Sequence, residues 1–117
     1  MSPGKPEEEF VSYIVELTRS IGPVHARAMF GGHGLFLDGL MFALIADSEL
    51  FLKADTSTIA TFIDKGLDAF SYGKKGKEFR MSYYQCPEEA LESSEEMNIW
   101  ANMAYSAALR AAAKKRK

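Results

Sequence analysis

Apolar residues fall at Phe10, Ile14, Leu17 and Ile21, spaced four, three and four apart. That spacing lays one apolar stripe along a helix. Pro6 suits the first turn of such a helix, Glu7, Glu8 and Glu9 suit its positive end, and Gly22-Pro23 predicts its stop. The period then changes. From Val24 to Phe30 apolar residues alternate with His25, Arg27 and Met29, which predicts a strand. Leu35 to Asp38, Leu40 to Ala46 and Glu49 to Ala54 read as further strands, with Leu50, Leu52 and Ala54 opposing Phe51 and Lys53. Asp38-Gly39 lies between two apolar runs, a strong hairpin signal, and Asp47-Ser48 supplies the next turn. Four strands joined by turns this short form an antiparallel meander.

Thr56 to Lys65 reads as a short helix that Asp55 or Thr56 caps and Gly66 ends. Ala69 to Tyr72 is strand-like, and Gly73-Lys74-Lys75-Gly76 is a turn. Lys77 to Gln85 alternates again, with Phe79, Met81 and Tyr83 opposing Arg80, Ser82 and Tyr84. Glu88 to Leu91 allows one helical turn. A long helix is expected from Ser93 or Ser94 to about Ala113, with Met97, Trp100, Ala101, Ala104 and Ala108 as its buried stripe. The expected fold class is therefore α+β. It has two layers: an antiparallel β-sheet of about five to six strands, and an N-terminal helix, a short inserted helix and a long C-terminal helix over one sheet face. One domain is expected over residues 1–117, with 1–6 as a flexible N-terminus and 114–117 as a basic tail.

Composition narrows the class. The chain has 117 residues, enough to bury a core without staples. Cys86 is the one cysteine, so no internal disulfide forms and a cytoplasmic setting is expected. No apolar run is long enough to span a membrane, and the N-terminus lacks the apolar core of a signal peptide. The net charge of −2 argues against a protein that coats nucleic acid along its whole surface. The charge is uneven, however: Arg110, Lys114, Lys115, Arg116 and Lys117 crowd the C-terminal end.

The stretch Gly31-Gly32-His33-Gly34 invites a chemical reading. A phosphate loop needs a helix N-terminus after its glycines, and here strand residues follow, without Gly-Lys-Ser/Thr. The plainer reading is hairpin hardware, with Gly31 and Gly32 taking positive φ or bulging the strand. A small-ligand or enzymatic site at Gly31–Gly34, with His25 or His33 as base, is the remote alternative. His25, His33 and Cys86 lack the short spacings of a zinc site, and no metal or cofactor is expected. Cys86 sits before Pro87 at a strand end and reads as a small apolar residue. Asp38, Asp47 and Asp55 all sit at turns, with no partner base beside them.

Strand positions are more informative. Arg27, Lys53, Lys77 and Arg80 share strands with Phe51, Tyr72, Tyr83 and Tyr84. A basic and aromatic sheet face can stack bases or bind acidic peptide. It can equally be the solvent face of an antiparallel sheet. The C-terminal lysines and arginine either complement the helix end or form a handle for nucleic-acid phosphates.

Two stretches, ARAMFGGHGLFLDGLMFALIADSELFLKAD over residues 26–55 and FSYGKKGKEFRMSYYQCPEEALE over residues 70–92, resemble the TfoX N-terminal domain family. The likeness extends over about residues 7–112. It implies an α+β fold with an antiparallel sheet and flanking helices, and it implies regulation rather than catalysis. Two-domain members of this family, the TfoX/Sxy competence regulators, act as co-activators with the cyclic-AMP receptor protein. Their second, helical domain is not expected within this sequence. His33 stands where the family usually carries an aromatic residue, most often tyrosine.

The function expected is a non-enzymatic, protein-binding regulatory module. Its contact surface is expected to carry Arg27, Met29, Phe30, Gly31, Gly32, His33, Lys53, Tyr83 and Tyr84. The partner is expected to be another protein, such as transcription machinery or a cyclic-AMP receptor-type regulator, and a homodimer is compatible with an exposed sheet. Direct nucleic-acid binding is the alternative. It would run through Lys74, Lys75, Lys77 and Arg80 of the second hairpin and through Lys114, Lys115, Arg116 and Lys117.

Overall fold

A computed structural model describes residues 6–29, 31–74 and 77–115, and side chains within that span except at 6 and 72–81. Helix α1 (Pro6–Leu17) opens the chain. Its apolar stripe continues to Ile21 as expected, but the α-helix ends earlier. Thr18 is buried, and its hydroxyl donates to the carbonyls of Ile14 (2.9 Å) and Val15 (3.1 Å). The chain then tightens into a 3-10 turn over Arg19–Ile21 and leaves through Gly22 at φ +145°. A Cβ at Gly22 would lie 2.8 Å from Leu37 Cδ1, so glycine serves both conformation and space there.

Six strands form one antiparallel sheet, ordered β1-β2-β3-β4-β6-β5. They are β1 (His25–Met29), β2 (Gly32–Leu37), β3 (Leu40–Ala46), β4 (Glu49–Lys53), β5 (Ala69–Lys74) and β6 (Lys77–Gln85). The first four are the expected meander. Asp38 (φ +51°) and Gly39 (φ +80°) make a two-residue turn with both residues left-handed, and Asp47 (φ +52°) and Ser48 (φ +59°) repeat it. That geometry matches the natural twist of hairpin strands. Helix α2 (Ile59–Asp64) then carries the chain past β4, so that β6 pairs with β4 and β5 becomes the outer edge. Residues 75 and 76 of the expected second turn lie outside the described residues.

Several short-range expectations need correction. Helix α2 starts at Ile59, after Thr58, not at Thr56, and β5 runs on to Lys74, through the first half of the expected turn. Strand β2 begins at Gly32, not Leu35, so most of the glycine stretch is strand. Gly31 does take positive φ (+73°), but Gly32 does not. Register shifts lie elsewhere, one between Ala69 and Ser71 of β5 and one in β2, where Leu35 faces Ala43 while Phe36 faces Met41, leaving Phe42 as the extra residue. A bulge lets consecutive residues point to one side. Phe42 and Ala43 are both fully buried in the same core.

That core lies between the helices and one sheet face. Leu35, Leu37, Ile45, Leu50 and Leu52 meet Ile14 of α1 and Met97, Trp100, Ala101 and Ala104 of α4 (Ser94–Lys115). Phe62 of α2 is fully buried, its ring 5.3 Å from Trp100 and 5.5 Å from Tyr84. Ser93 starts α4 by accepting the Glu96 N–H at 3.2 Å. Helix α3 (Glu88–Leu91) supplies Ala90 to the same core.

Candidate interaction surface

The opposite sheet face carries a second, smaller cluster. Leu44, Phe51 and Tyr83 are buried there, with Met41, Ala46 and Phe70 packed on them. Strand parity explains the set: Gly32, Gly34 and Phe36 alternate with the core-facing His33, Leu35 and Leu37, and pairing aligns Gly34 with Arg27 and Leu44. The two glycines on this face have different reasons. A Cβ at Gly32 would sit 2.1 Å from the Ile45 carbonyl oxygen, which is backbone and cannot step aside. A Cβ at Gly34 would meet Met29 Sδ at 2.7 Å, and Met41 Sδ and Phe36 Cε1 at 3.0 Å. Close approach, not turn geometry, selects glycine at both. A void of about 20 Å³ remains between Gly32, Met29, Leu44 and Phe70.

Cations ring this cluster. The Arg27 guanidinium lies 5.1 Å from the centre of the Phe36 ring, and His25 stacks on that ring at 5.9 Å. Across the sheet the Lys53 ammonium lies 5.2 Å from the Tyr83 ring and donates to Ser82 Oγ at 2.8 Å. Such contacts hold a cation against an aromatic face while leaving its charge available. The Tyr83 hydroxyl donates weakly to the Met41 carbonyl (3.4 Å), and burial pushes its pKa up to about 12.

The structure therefore splits the sequence-predicted contact residues. Arg27, Met29, Gly32, Lys53 and Tyr83 share this face. His33 and Tyr84 do not. His33 points to the α1 side, where its Nδ1 lies 3.2 Å from Glu7 Oε2, and Glu7 Oε1 also accepts the Ser48 N–H at 3.3 Å. This small network ties α1 to the β3–β4 turn. Tyr84 faces α2 and packs on Phe62. Gly31 is exposed at the loop between β1 and β2, and Phe30 lies outside the described residues.

Of the expected nucleic-acid contacts, Lys74 and Lys77 are paired in the β5–β6 ladder, and Arg80 faces Ser71. Their side chains, with Lys75, Arg116 and Lys117, lie outside the described residues. Lys114 and Lys115 are exposed in the last turn of α4. Sequence reasoning missed their neighbour Arg110 as an organiser. Arg110 donates to both carboxylate oxygens of Asp55, at 2.6 and 3.1 Å. This holds the Asp55 carboxyl below the usual carboxylate range, aided by the Ser57 N–H and opposed by burial.

Among the described residues no three His, Cys, Asp or Glu side chains gather as a metal-binding group. Cys86 is buried, and burial followed by the nearby Glu89 charge pushes its thiol up to about 12. A thiol held protonated is a poor nucleophile. No helix among the described residues is long and apolar enough to cross a membrane.

Comparison with known proteins agrees with the fold. The sequence matches the TfoX N-terminal domain over residues 16–108. It is similar to the DNA transformation protein TfoX1 of Aliivibrio fischeri, with 30% identity over 82 residues that cover 70% of this chain and 37% of that protein. It is also similar to the protein Sxy of Escherichia coli, with 27% identity over 73 residues that cover 62% of this chain and 35% of that protein. The chain thus matches little more than a third of each relative's length. With the family match spanning most of its residues, the chain belongs to the TfoX N-terminal domain family.

Proposed function

We propose that this chain is a non-enzymatic regulatory module that works by binding another protein, as part of or alongside the transcription machinery. The observation that carries this reading is the sheet face opposite the helices. It presents Arg27 and Lys53 on aromatic rings at its two sides, around a rigid buried cluster. Cations preorganised on a rigid sheet favour recognition over chemistry, because little side-chain freedom is lost on contact. The relatives support the biological setting, since TfoX1 is by name a DNA transformation protein. A cyclic-AMP receptor-type regulator and RNA polymerase are the partners to try first.

The test is retention of each purified candidate on the immobilised protein. One of them should be held, and Arg27→Ala or Lys53→Gln should weaken the hold without lowering the melting temperature. A specific observation keeps a second reading in view: Lys114 and Lys115 stand exposed at the same end of α4. If neither protein is held and duplex DNA is, with a salt slope of about −0.9 per phosphate contact, nucleic-acid binding replaces protein binding.

A further inference from the structure

Helix α4 packs less closely on the sheet toward its C-terminal end. Its buried stripe continues at helical spacing through Ala104, Ala107 and Ala108 to Ala111 and Ala112, but the last two are only half-buried. They face Leu40 and Met41 of β3 across a groove of about 220 Å³. Alanine leaves that space open, whereas a leucine at either helix position would fill it. Lys53, Tyr83 and Lys115 complete the lining. Two lysines that lie 62 residues apart in sequence thus meet at one apolar cleft.

Among the described residues neither Lys53 nor Lys115 has a carboxylate within ion-pairing distance. The acid best placed to neutralise Lys53 is Asp55, and both of its oxygens are held by Arg110. Asp38 lies in the adjoining groove, where it accepts from the Tyr105 hydroxyl at 3.4 Å. Burial, and then the charge of Lys115, lower the pKa of Lys53, with Asp55 opposing them. An anion placed between the two ammonium groups would offset the repulsion between them.

We propose that the cleft between the end of α4 and strands β3, β4 and β6 receives an acidic, apolar segment of a partner protein. An apolar side chain of that segment rests on Ala111 and Ala112, and a carboxylate sits between Lys53 and Lys115. The proposal rests on the protein-binding reading above and gives that partner its chemistry. The apolar walls favour peptide over nucleic acid, since a backbone phosphate gains nothing from Leu40, Met41 and two alanines. A cleft of this volume suits one or two side chains.

The test is fluorescence anisotropy with a labelled helical peptide of Leu, Glu and Ala, beside the same peptide with Gln for Glu and beside labelled duplex DNA. The Glu peptide should bind, and the Gln peptide at least tenfold more weakly. Lys53→Gln and Lys115→Gln should each weaken the Glu peptide about tenfold, the scale of losing a charge-assisted contact. Ala112→Leu should abolish binding by filling the cleft, and Arg19→Gln, which removes an exposed charge elsewhere, should change nothing. Circular dichroism melts confirm that each variant folds. Equal binding by wild type and by the Lys53→Gln, Lys115→Gln double variant overturns the proposal, as does no binding of the Glu peptide at all. So does DNA binding that depends on both lysines while peptide binding does not. Any of these leaves the broader module reading to its own retention test.

Discussion

The two faces of the sheet are built differently. On the helix side, long apolar side chains from α1, α2 and α4 close over Leu35, Ile45, Leu50 and Leu52, and the aromatic pair Phe62 and Trp100 is sealed inside. On the other side the cluster is a few residues deep, and glycine, methionine sulfur and ring-stacked cations make up much of it. The first face gains stability from burial in proportion to area. The second gives up some of that gain and keeps charge at the surface. On the proposed reading, the first face holds the chain together and the second carries its contacts.

The sharpest way to break the comparison is at Phe62. Phe62→Ala should cost about 3–5 kcal/mol, the usual range for deleting a buried aromatic ring. Urea denaturation would read the loss, and a cost under about 1 kcal/mol would mean that the main core is not where stability resides. Next comes Gly32→Ala, which forces Cβ into the Ile45 carbonyl. A loss of about 1–3 kcal/mol or more is expected, the scale of overpacking. Gly34→Ala should cost less, because flexible thioether ends can move from its path. The reverse order would show that close approach does not select Gly32. Gly31→Ala meets no neighbour within 4 Å and should cost only about 1–2 kcal/mol, from its left-handed backbone alone.

The smallest effect is expected at Arg110→Gln, and it should depend on pH. The Asp55 carboxyl is held below its ordinary value by Arg110. A depressed acid adds stability above its unfolded pKa, about 4 for aspartate, and loses that contribution as pH falls through the folded value. Thermal melts of wild type and variant should therefore differ at neutral pH and converge in strong acid. A difference that grows in acid would contradict the assigned pairing.

Much of this was readable in the sequence, because it is local. The helical stripes, the Asp-Gly turn and the four-strand meander each follow from residues within one or two turns of one another. What failed to show is non-local. Gly32 looks like punctuation, since its true constraint is the Ile45 carbonyl on the neighbouring strand. Tyr83 and Tyr84 alternate, so one strand's pattern already put them on opposite faces, yet which face each serves depends on where α2 packs. The outward placement of β5 and the bond between Arg110 and Asp55 come from the crossover through α2 and from α4 returning along the sheet. Ala111 and Ala112 read as ordinary helix formers, and only the sheet opposite them makes a cleft.

One side-by-side measurement tests the division most directly: partner-protein affinity and melting temperature for two variants, Lys53→Gln with Lys115→Gln, and Phe62→Leu. The double lysine variant should lose binding and melt like wild type. Phe62→Leu should melt lower and bind like wild type below its transition. If instead Phe62→Leu loses the partner while the lysine variant keeps it, recognition depends on the helix-side core and not on the lysine cleft.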